Sequence, residues 1–247
     1  MPSKPLADRI ALVTGASRGI GAATALALAR EGAHVVAVAR TVGGLEELDD
    51  RIRAEGGSAT LVPLDLRDYE GIDRLGAALH ERHGRLDVLV GNAGVLGVLS
   101  PLGHIEPKVW EEAIAVNVTA NWRLIRSMDP LLRASDAGRA VFISSGAAHK
   151  ARAYWGVYAV CKAGLEMLAR TYAAENDTTP VRVNLVNPGP VRTKMRAAAM
   201  PGEDASTLDA PEQVAAEIVK LCVPDFAENG KLYDYPSRKL MSLRAPG

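Results

Sequence analysis

The feature that most limits the fold of this chain is the regular alternation of two kinds of segment. Short runs rich in β-branched residues are each followed by a longer segment rich in alanine and leucine, whose apolar residues repeat with a helical period. Such an alternation is typical of βαβ units around a parallel sheet. Near-continuous apolar runs such as residues 35–39 indicate strands covered on both faces. The pattern predicts an α/β protein with a doubly wound, three-layer fold and a mostly parallel, seven-stranded sheet.

The positions of these segments predict the individual elements. Strands are expected at residues 10–14, 34–39, 59–64, 86–91, 140–145, 181–186 and 231–234, and helices at residues 19–30, 41–54, 68–83, 107–134, 155–175 and 211–222. No linker rich in proline, glycine or serine divides the 247 residues, and one core can fill a domain of this length. A single domain over residues 1–247 is predicted, with ligands bound beyond the carboxyl ends of the strands.

Charge and composition limit the partners and the location of the chain. Basic and acidic residues balance at 29 each. Nucleic acid or an anionic membrane would favour a basic excess, so neither is expected as a partner and a small molecule is expected instead. Residues 1–8 contain no long apolar run, and no stretch is long enough to span a bilayer, which predicts a cytoplasmic protein.

The cysteines and histidines predict no metal site. Cys161 and Cys222 form no CxxC pair and no Cys/His cluster of zinc type. Both are expected to be small buried hydrophobic side chains in a reducing compartment. His80 and His83 are expected on a helix surface, because no carboxylate or cysteine partner suggests a metal site.

A glycine-rich loop directly follows the first predicted strand and leads into a helix. Residues 14–21 read TGASRGIG, and their glycines let the backbone approach a pyrophosphate at the helix amino end. The predicted dinucleotide contacts in this loop are Gly15, Ser17, Arg18, Gly19, Ile20 and Gly21. A tight strand-to-helix turn without a ligand is the alternative interpretation. The spacing is TGxxxGxG, which resembles the cofactor pattern of the short-chain dehydrogenase/reductase family and implies a fold of Rossmann type. The resemblance runs from Asp8 to about Thr193.

The end of the second strand indicates which dinucleotide is preferred. Proteins that bind NAD usually carry an acidic residue there for the ribose hydroxyls, and this chain has Ala39. Arg40 follows directly, and Arg18 lies in the glycine loop. Two guanidinium groups can bind a 2′-phosphate, which predicts NADP(H) in preference to NAD(H). Each arginine taken separately could be a solvated surface charge.

Further segments match the family in the correct order along the chain. Asp65 and Leu66 resemble the pair beside the adenine ring, and Asn92, Ala93 and Gly94 resemble the segment beside the adenosine ribose. Either segment alone could be an ordinary turn. Residues 187–193 resemble the segment that holds the nicotinamide carboxamide, which implies contacts from Pro188, Gly189, the backbone of Val191 and the side chain of Thr193.

A tyrosine and a lysine four residues apart predict a proton-transfer site. This spacing places Tyr158 and Lys162 one turn apart on one face of a helix. A phenol ionises near about pH 10, and a nearby cation lowers that pKa, so Lys162 and an oxidised nicotinamide would let Tyr158 exchange a proton with a carbonyl or alcohol. The pair alone is frequent and usually structural. The resemblance adds Ser145 as the serine that binds the substrate oxygen, in preference to Ser144.

The resemblance also assigns a role to Asn117 and implies an assembly. Asn117 takes the place of the family's helix asparagine, which holds a water molecule beside the lysine; a helix-interrupting polar residue is the alternative. A homodimer or homotetramer built on the helices around Asn117 and Tyr158 is implied. The usual glycine-rich ending after the last strand is missing, which puts contacts made by the tail in doubt.

Substrate recognition is expected in three segments, at residues 95–104, 147–155 and 194–208. They carry Leu96, Leu99, His149, Tyr154, Trp155 and Met195, which predicts a medium-sized, partly apolar carbonyl or alcohol. His149 is expected to be an exposed loop residue and not an acid or base. Residues 194–208 are expected to form a small mobile lid.

Two other functions compete with a reductase. A non-catalytic NADP(H)-binding module that senses redox state would need the nucleotide site alone. An epimerase or dehydratase that keeps its nucleotide is disfavoured by the short carboxyl-terminal part, which is too small for a sugar-nucleotide domain.

Overall fold

The computed structural model describes residues 4–243; the first three and last four residues of the predicted 1–247 domain lie outside this range. The strands are β1 Ile10–Thr14, β2 His34–Ala39, β3 Ser58–Pro63, β4 Val88–Gly91, β5 Arg139–Ile143, β6 Arg182–Asn187, β7 Lys231–Asp234 and β8 Lys239–Ser242. They form one sheet in the order β3-β2-β1-β4-β5-β6-β7-β8. Every pair from β3 to β7 is parallel, which confirms the mostly parallel sheet.

Helices cover the sheet on both faces. They are α1 Gly19–Arg30, α2 Val42–Ala54, α3 Tyr69–His83, α4 Pro107–Ile114, α5 Ala120–Ala134, α6 Gly156–Glu175, α7 Lys194–Ala199 and α8 Pro211–Lys220. Alternate strand residues point to opposite faces. Val13 therefore packs with α1, α2 and α8 on one face, while its neighbour Leu12 packs with α3, α5 and α6 on the other. Two apolar layers on one sheet confirm the doubly wound, three-layer fold.

The sheet contains the seven predicted strands and one more. The additional strand, β8, pairs antiparallel with β7. All four of its residues are exposed, and its sequence KLMS places Leu240 and Met241 side by side. A strand without a buried face has no selection for alternating polarity, so the pattern that identified the other strands was missing here.

The long helix predicted at residues 107–134 contains a local change of geometry. α4 continues into a π-helical turn at Ala115–Thr119, and α5 follows without a break. Single π-helical turns inside α-helices occur often at functional sites, because they redirect side chains. Asn117 lies in the middle of this turn and is fully buried.

The topology determines where a ligand can bind. Because β1, β2, β4, β5 and β6 are parallel, the segments that follow them all lie at one edge of the sheet. The chain order reverses between β1 and β4, which opens a crevice at that edge. Within residues 4–243, no helix is long and apolar enough to cross a membrane. Cys161 and Cys222 are buried, as predicted.

Candidate active site

One cavity of about 940 Å³ lies at this edge and collects the predicted site residues. Those that line it are Gly15, Ser17, Arg18, Gly19, Ile20, Arg40, Asp65, Leu66, Asn92, Ala93, Gly94, Ser145, Tyr158, Lys162, Pro188, Gly189, Val191 and Thr193. Gly21 and Asn117 are not in the lining. Segments separated by more than a hundred positions in the chain therefore meet in a single space.

The glycine loop after β1 folds closely onto the chain beside it. Gly15 and Gly19 have φ angles of +66° and +58°, a region that glycine enters without strain. A Cβ atom at Gly21 would lie 2.3 Å from the Gly15 carbonyl oxygen. Gly21 therefore lets the start of α1 pack against the glycine loop, and it does not face the cavity.

The segment after β4 is held against the end of β1. The Asn92 side chain donates to the Thr14 carbonyl at 2.8 Å, and the amides of Asn92 and Ala93 donate to Thr14 Oγ1 at 3.0 and 3.1 Å. Thr14 is fully buried. These bonds fix the two segments that border the crevice relative to each other. Thr14 is the first residue of the glycine motif, and its role in joining these two segments was not predicted.

The charged residues beside the end of β2 include one more arginine than the sequence analysis predicted at this place. Arg67, which the sequence analysis did not single out, lies 2.6 Å from Asp65 Oδ2. Its hydrogen bonds are the main reason that the pKa of Asp65 falls to about 2. Arg40 makes one looser contact with Asp65, at 3.9 Å, and its side chain is 54% exposed. The acidic residue is thus paired mainly with Arg67, and the guanidinium of Arg40 keeps donors that can face a ligand.

The cavity brings together the three residues predicted to carry out the reaction, Ser145, Tyr158 and Lys162. Ser145 follows β5, and its Oγ accepts from the Ala147 amide at 3.2 Å. Its hydroxyl lies near enough to the Tyr158 phenol to lower the pKa of that group. Lys162 Nζ lies 5.6 Å from the centroid of the Tyr158 ring and donates to the Ile143 carbonyl at 2.7 Å. Tyr158 and Lys162 are 8% and 3% exposed. Most of their surface is thus removed from water.

Burial shifts the pKa values of both catalytic candidates away from their charged forms. It raises the pKa of Tyr158 to about 12, against the opposing effect of the nearby Ser145 side chain. It lowers the pKa of Lys162 to about 8, against the opposing effects of Cys161 and of the negative charge of nearby Glu166. We expected a lowered pKa for Tyr158 from the spacing to Lys162. In the chain by itself the direction is the opposite, because desolvation of the phenolate has the larger effect.

Asn117 contacts the backbone of the first substrate segment. Its Oδ1 accepts from the Val95 amide at 3.0 Å, and its Nδ2 donates to the carbonyls of Val95 and Ala113 at 3.0 and 2.9 Å. A Cβ atom at Gly94 would lie 2.7 Å from Asn117 Oδ1 and 3.7 Å from Lys162 Nζ. Asn117 and Lys162 thus approach Gly94 together. The predicted role of Asn117 in holding a water molecule stays a prediction.

Only part of each predicted substrate segment faces the cavity. Leu96, Trp155 and Met195 line it, together with Val98. The rings of Trp155 and Tyr158 meet edge to face at 6.1 Å. Leu99, His149 and Tyr154, which belong to the same predicted set, do not line it. The space beside Tyr158 therefore has a mainly apolar wall with an aromatic face.

The segment after β6 turns directly into the predicted lid. Thr193 Oγ1 accepts from the Arg196 amide at 3.1 Å and so caps α7. Its hydroxyl hydrogen is still available to a ligand acceptor. Arg196 binds Glu203 through bonds of 2.6 and 2.5 Å, which tie α7 to the residues that follow it. Closure of residues 194–208 as a lid stays a prediction.

Comparisons with known proteins find relatives that match most of the chain. The family model for short chain dehydrogenase matches residues 9–204. The chain is 39% identical over 212 residues to the oxidoreductase YciK of Escherichia coli (strain K12), covering 85% of this chain and 84% of that protein. The crystal structure of a Shigella flexneri short chain dehydrogenase complexed with NADP has a TM-score of 0.89 at 36% identity and covers 95% of this chain and 99% of its own. An Escherichia coli CFT073 short chain dehydrogenase complexed with NADPH has the same TM-score, identity and coverage.

Proposed function

Because this chain belongs to the short-chain dehydrogenase/reductase family of oxidoreductases, we propose that it transfers hydride between NADP(H) and a carbonyl or alcohol substrate. The observation that carries the proposal is the convergence of Ser145, Tyr158 and Lys162 on the cavity that the glycine loop borders. A binding module has no chemical need for a phenol, a hydroxyl and an ammonium group at one place. A catalyst is therefore favoured over a redox-sensing module.

The shape of the cavity fits a dinucleotide. A Cβ atom at Gly15 would lie 2.9 Å from Asn92 Nδ2, so the glycine loop can pack this closely against the segment after β4 only because the side chain is missing. α1 begins at Gly19, and its amino end favours a pyrophosphate. The residues that would hold the cofactor are those predicted from the glycine loop, Arg40, residues 65–66, residues 92–94 and residues 188–193. When bound, the nicotinamide supplies the hydride in reduction and accepts it in oxidation.

The chain's own side chains divide the remaining chemistry. Tyr158 gives a proton to the carbonyl oxygen in reduction and takes it from the hydroxyl in oxidation. Ser145 donates to the same oxygen and stabilises its developing negative charge. Lys162, when protonated, places a positive charge beside the Tyr158 ring and favours the phenolate that oxidation requires. The burial that raises the pKa of Tyr158 makes this cation more important.

The apolar wall beside Tyr158 indicates the kind of substrate. Leu96, Val98, Trp155 and Met195 offer hydrophobic contact and few polar groups. We therefore propose a medium-sized, partly apolar carbonyl or alcohol, with its reacting oxygen toward Ser145 and Tyr158. The polar groups that fix its orientation are then those that also carry out the reaction.

Assembly, domain extent and location stay predictions. On α5 and α6, Trp122, Val160 and Met167 are 44%, 46% and 57% exposed, which supports the proposed homodimer or homotetramer built on these helices. A single domain over residues 1–247 and a cytoplasmic location are proposed on the grounds of composition given above.

The function is tested by measuring binding and turnover separately. Purified protein is titrated with NADPH and with NADH by fluorescence, and ketones, aldehydes and quinones are then screened by NADPH oxidation. We expect preferential NADPH binding and turnover of apolar members of the panel. Tight NADPH binding without turnover across a broad panel would favour the redox-sensing module.

The preference for NADP(H) is tested by reversing the charge at Arg40. We expect Arg40→Asp to weaken NADPH binding about 10- to 100-fold and to leave NADH binding unchanged, because a charge-assisted contact with the 2′-phosphate is replaced by repulsion. Fluorescence titration with both cofactors measures the effect. Arg51→Asp, an equal charge change at an exposed position of α2, is the matched control. Equal losses for NADPH and NADH would contradict the role of Arg40.

A further inference from the structure

A buried carboxylate lies below the catalytic residues on α6. Glu166 follows Tyr158 and Lys162 at intervals of four residues, so the three side chains share one face of the helix. The Glu166 side chain is 6% exposed. It does not line the cavity, and the proposed reaction has not used it. Carboxylates are almost never buried to this degree without specific partners.

The first partner of Glu166 is the serine beside Ser145. Ser144 Oγ donates to Glu166 Oε1 at 2.5 Å, and Ser144 is 1% exposed. The Ser144 amide also donates to the Val186 carbonyl at 2.8 Å, which continues the ladder between β5 and β6. The backbone that delivers Ser145 to the cavity is thus fixed by β6 on one side and by Glu166 on the other.

The second partner comes from a predicted substrate segment. His149 Nε2 lies 2.9 Å from Glu166 Oε2 and 3.1 Å from Oε1. His149 ends the short turn Gly146–Ala148 and leads toward Trp155, which lines the cavity. The contact therefore joins the segment at residues 147–155 to the helix that carries Tyr158. His149 was predicted to be an exposed loop residue; its side chain is 44% exposed and also has a partner in Glu166.

The third effect of Glu166 is on Lys162, one helical turn away. Burial lowers the pKa of Lys162, and the negative charge of Glu166 acts in the opposite direction. Cys161 is the other ionisable side chain that acts on Lys162, and the pKa of its own thiol is raised by burial. Glu166 thus stands out as the carboxylate that supports the protonated form of Lys162.

From these contacts, and resting on the proposed function, we infer that Glu166 is a positioning residue: its carboxylate fixes the backbone of Ser145 through Ser144, fixes the substrate segment through His149, and supplies the charge that accompanies Lys162. It acts through these three residues and does not touch the reacting atoms. One buried group thus links the serine, the lysine and the substrate wall.

The charge effect is tested on the full-length protein without turnover. Lysines are labelled with ¹³C at Cε, the Lys162 signal is assigned with Lys162→Arg, and its titration is followed by NMR. Glu166→Gln keeps the size of the side chain and removes the charge, so we expect the Lys162 midpoint to fall by about one pH unit. Glu175→Gln, at an exposed position of the same helix, is the matched control and leaves the midpoint in place. An unchanged midpoint in Glu166→Gln would overturn the inference.

The loop contact is tested with a substitution that poses little risk to folding. His149 is 44% exposed in its side chain, so His149→Ala removes the contact with Glu166 while the chain stays folded. We expect KM for the ketone to rise about tenfold with kcat unchanged, because the substrate wall loses its link to α6. An unchanged KM would overturn this part of the inference.

The two tests also separate this inference from the proposed function. The NMR titration needs no substrate and no cofactor. A wild-type protein that turns over nothing on the panel would overturn the proposed reductase activity. The Lys162 midpoint would still decide whether Glu166 acts on Lys162. A wild type with turnover, combined with an unmoved midpoint in Glu166→Gln, would overturn the positioning role alone.

Discussion

Replacing Tyr158 by phenylalanine is expected to lower kcat by about 10²- to 10⁴-fold, while the dissociation constant for NADPH stays the same. The change removes one oxygen atom from a side chain that is 8% exposed, so packing around the ring is retained. What is lost is the proton that the phenol exchanges with the substrate oxygen. Steady-state assays with the best ketone of the panel, and fluorescence titration with NADPH, measure the two quantities.

A second buried tyrosine on the same helix supplies the control. Tyr172 is 3% exposed, and its hydroxyl donates to Asp129 at 2.8 Å, away from the cavity. Tyr172→Phe is expected to reduce stability by about 1 kcal/mol and to leave kcat unchanged. If Tyr158→Phe kept the turnover of the wild type, the phenol would not be the proton donor and the proposed mechanism would be wrong.

Of the substitutions proposed for this protein, removal of the buried Asp87 carboxylate is expected to lower the free energy of unfolding the most. The Asp87 side chain is 1% exposed and lies at the amino-terminal side of β4, opposite the catalytic edge. It accepts from the Ile10 amide at 2.8 Å, from Ser135 Oγ at 2.7 Å and from Arg9 Nη1 at 3.0 Å. Asp87→Ala leaves these donors without their acceptor and opens a gap between β1 and α5. We expect a loss of about 3–5 kcal/mol in the free energy of unfolding.

Urea denaturation followed by circular dichroism measures this loss. Asp136→Ala is the matched control, because Asp136 binds the same Arg9 but its side chain is 77% exposed. Water takes over from an exposed partner, so we expect a loss of less than about 1 kcal/mol. Similar losses of unfolding free energy in the two variants would show that the burial of Asp87 is not the reason for its effect on stability.

The parts of the fold that depend on local pattern could be predicted from the sequence. The strands β1 to β7 lie within a few residues of their predicted positions, because hydrophobic periodicity and glycine turns are properties of short segments. β8 was missed because an exposed strand has no such pattern. The π-helical turn around Asn117 was missed because it keeps the apolar face of a helix and alters only its hydrogen bonding.

The candidate site shows the same division. The glycine loop, Tyr158 and Lys162 could be singled out because their spacing matches the pattern of a known family. Glu166 was missed, although its position four residues after Lys162 was a signal that could have been followed. Arg67 lies two residues after Asp65, and this spacing by itself does not indicate that its guanidinium binds the Asp65 carboxylate.

The sequence by itself determined the class of fold, the edge of the sheet where the cavity lies and the residue types that the proposed proton transfer uses. Only the tertiary structure decided which side chains lose contact with water and which charges meet. Desolvation and pairing depend on segments distant in the chain, such as Ser144 and His149 around Glu166. For that reason the spacing of Tyr158 and Lys162 predicted their proximity, while burial set the direction of their pKa shifts.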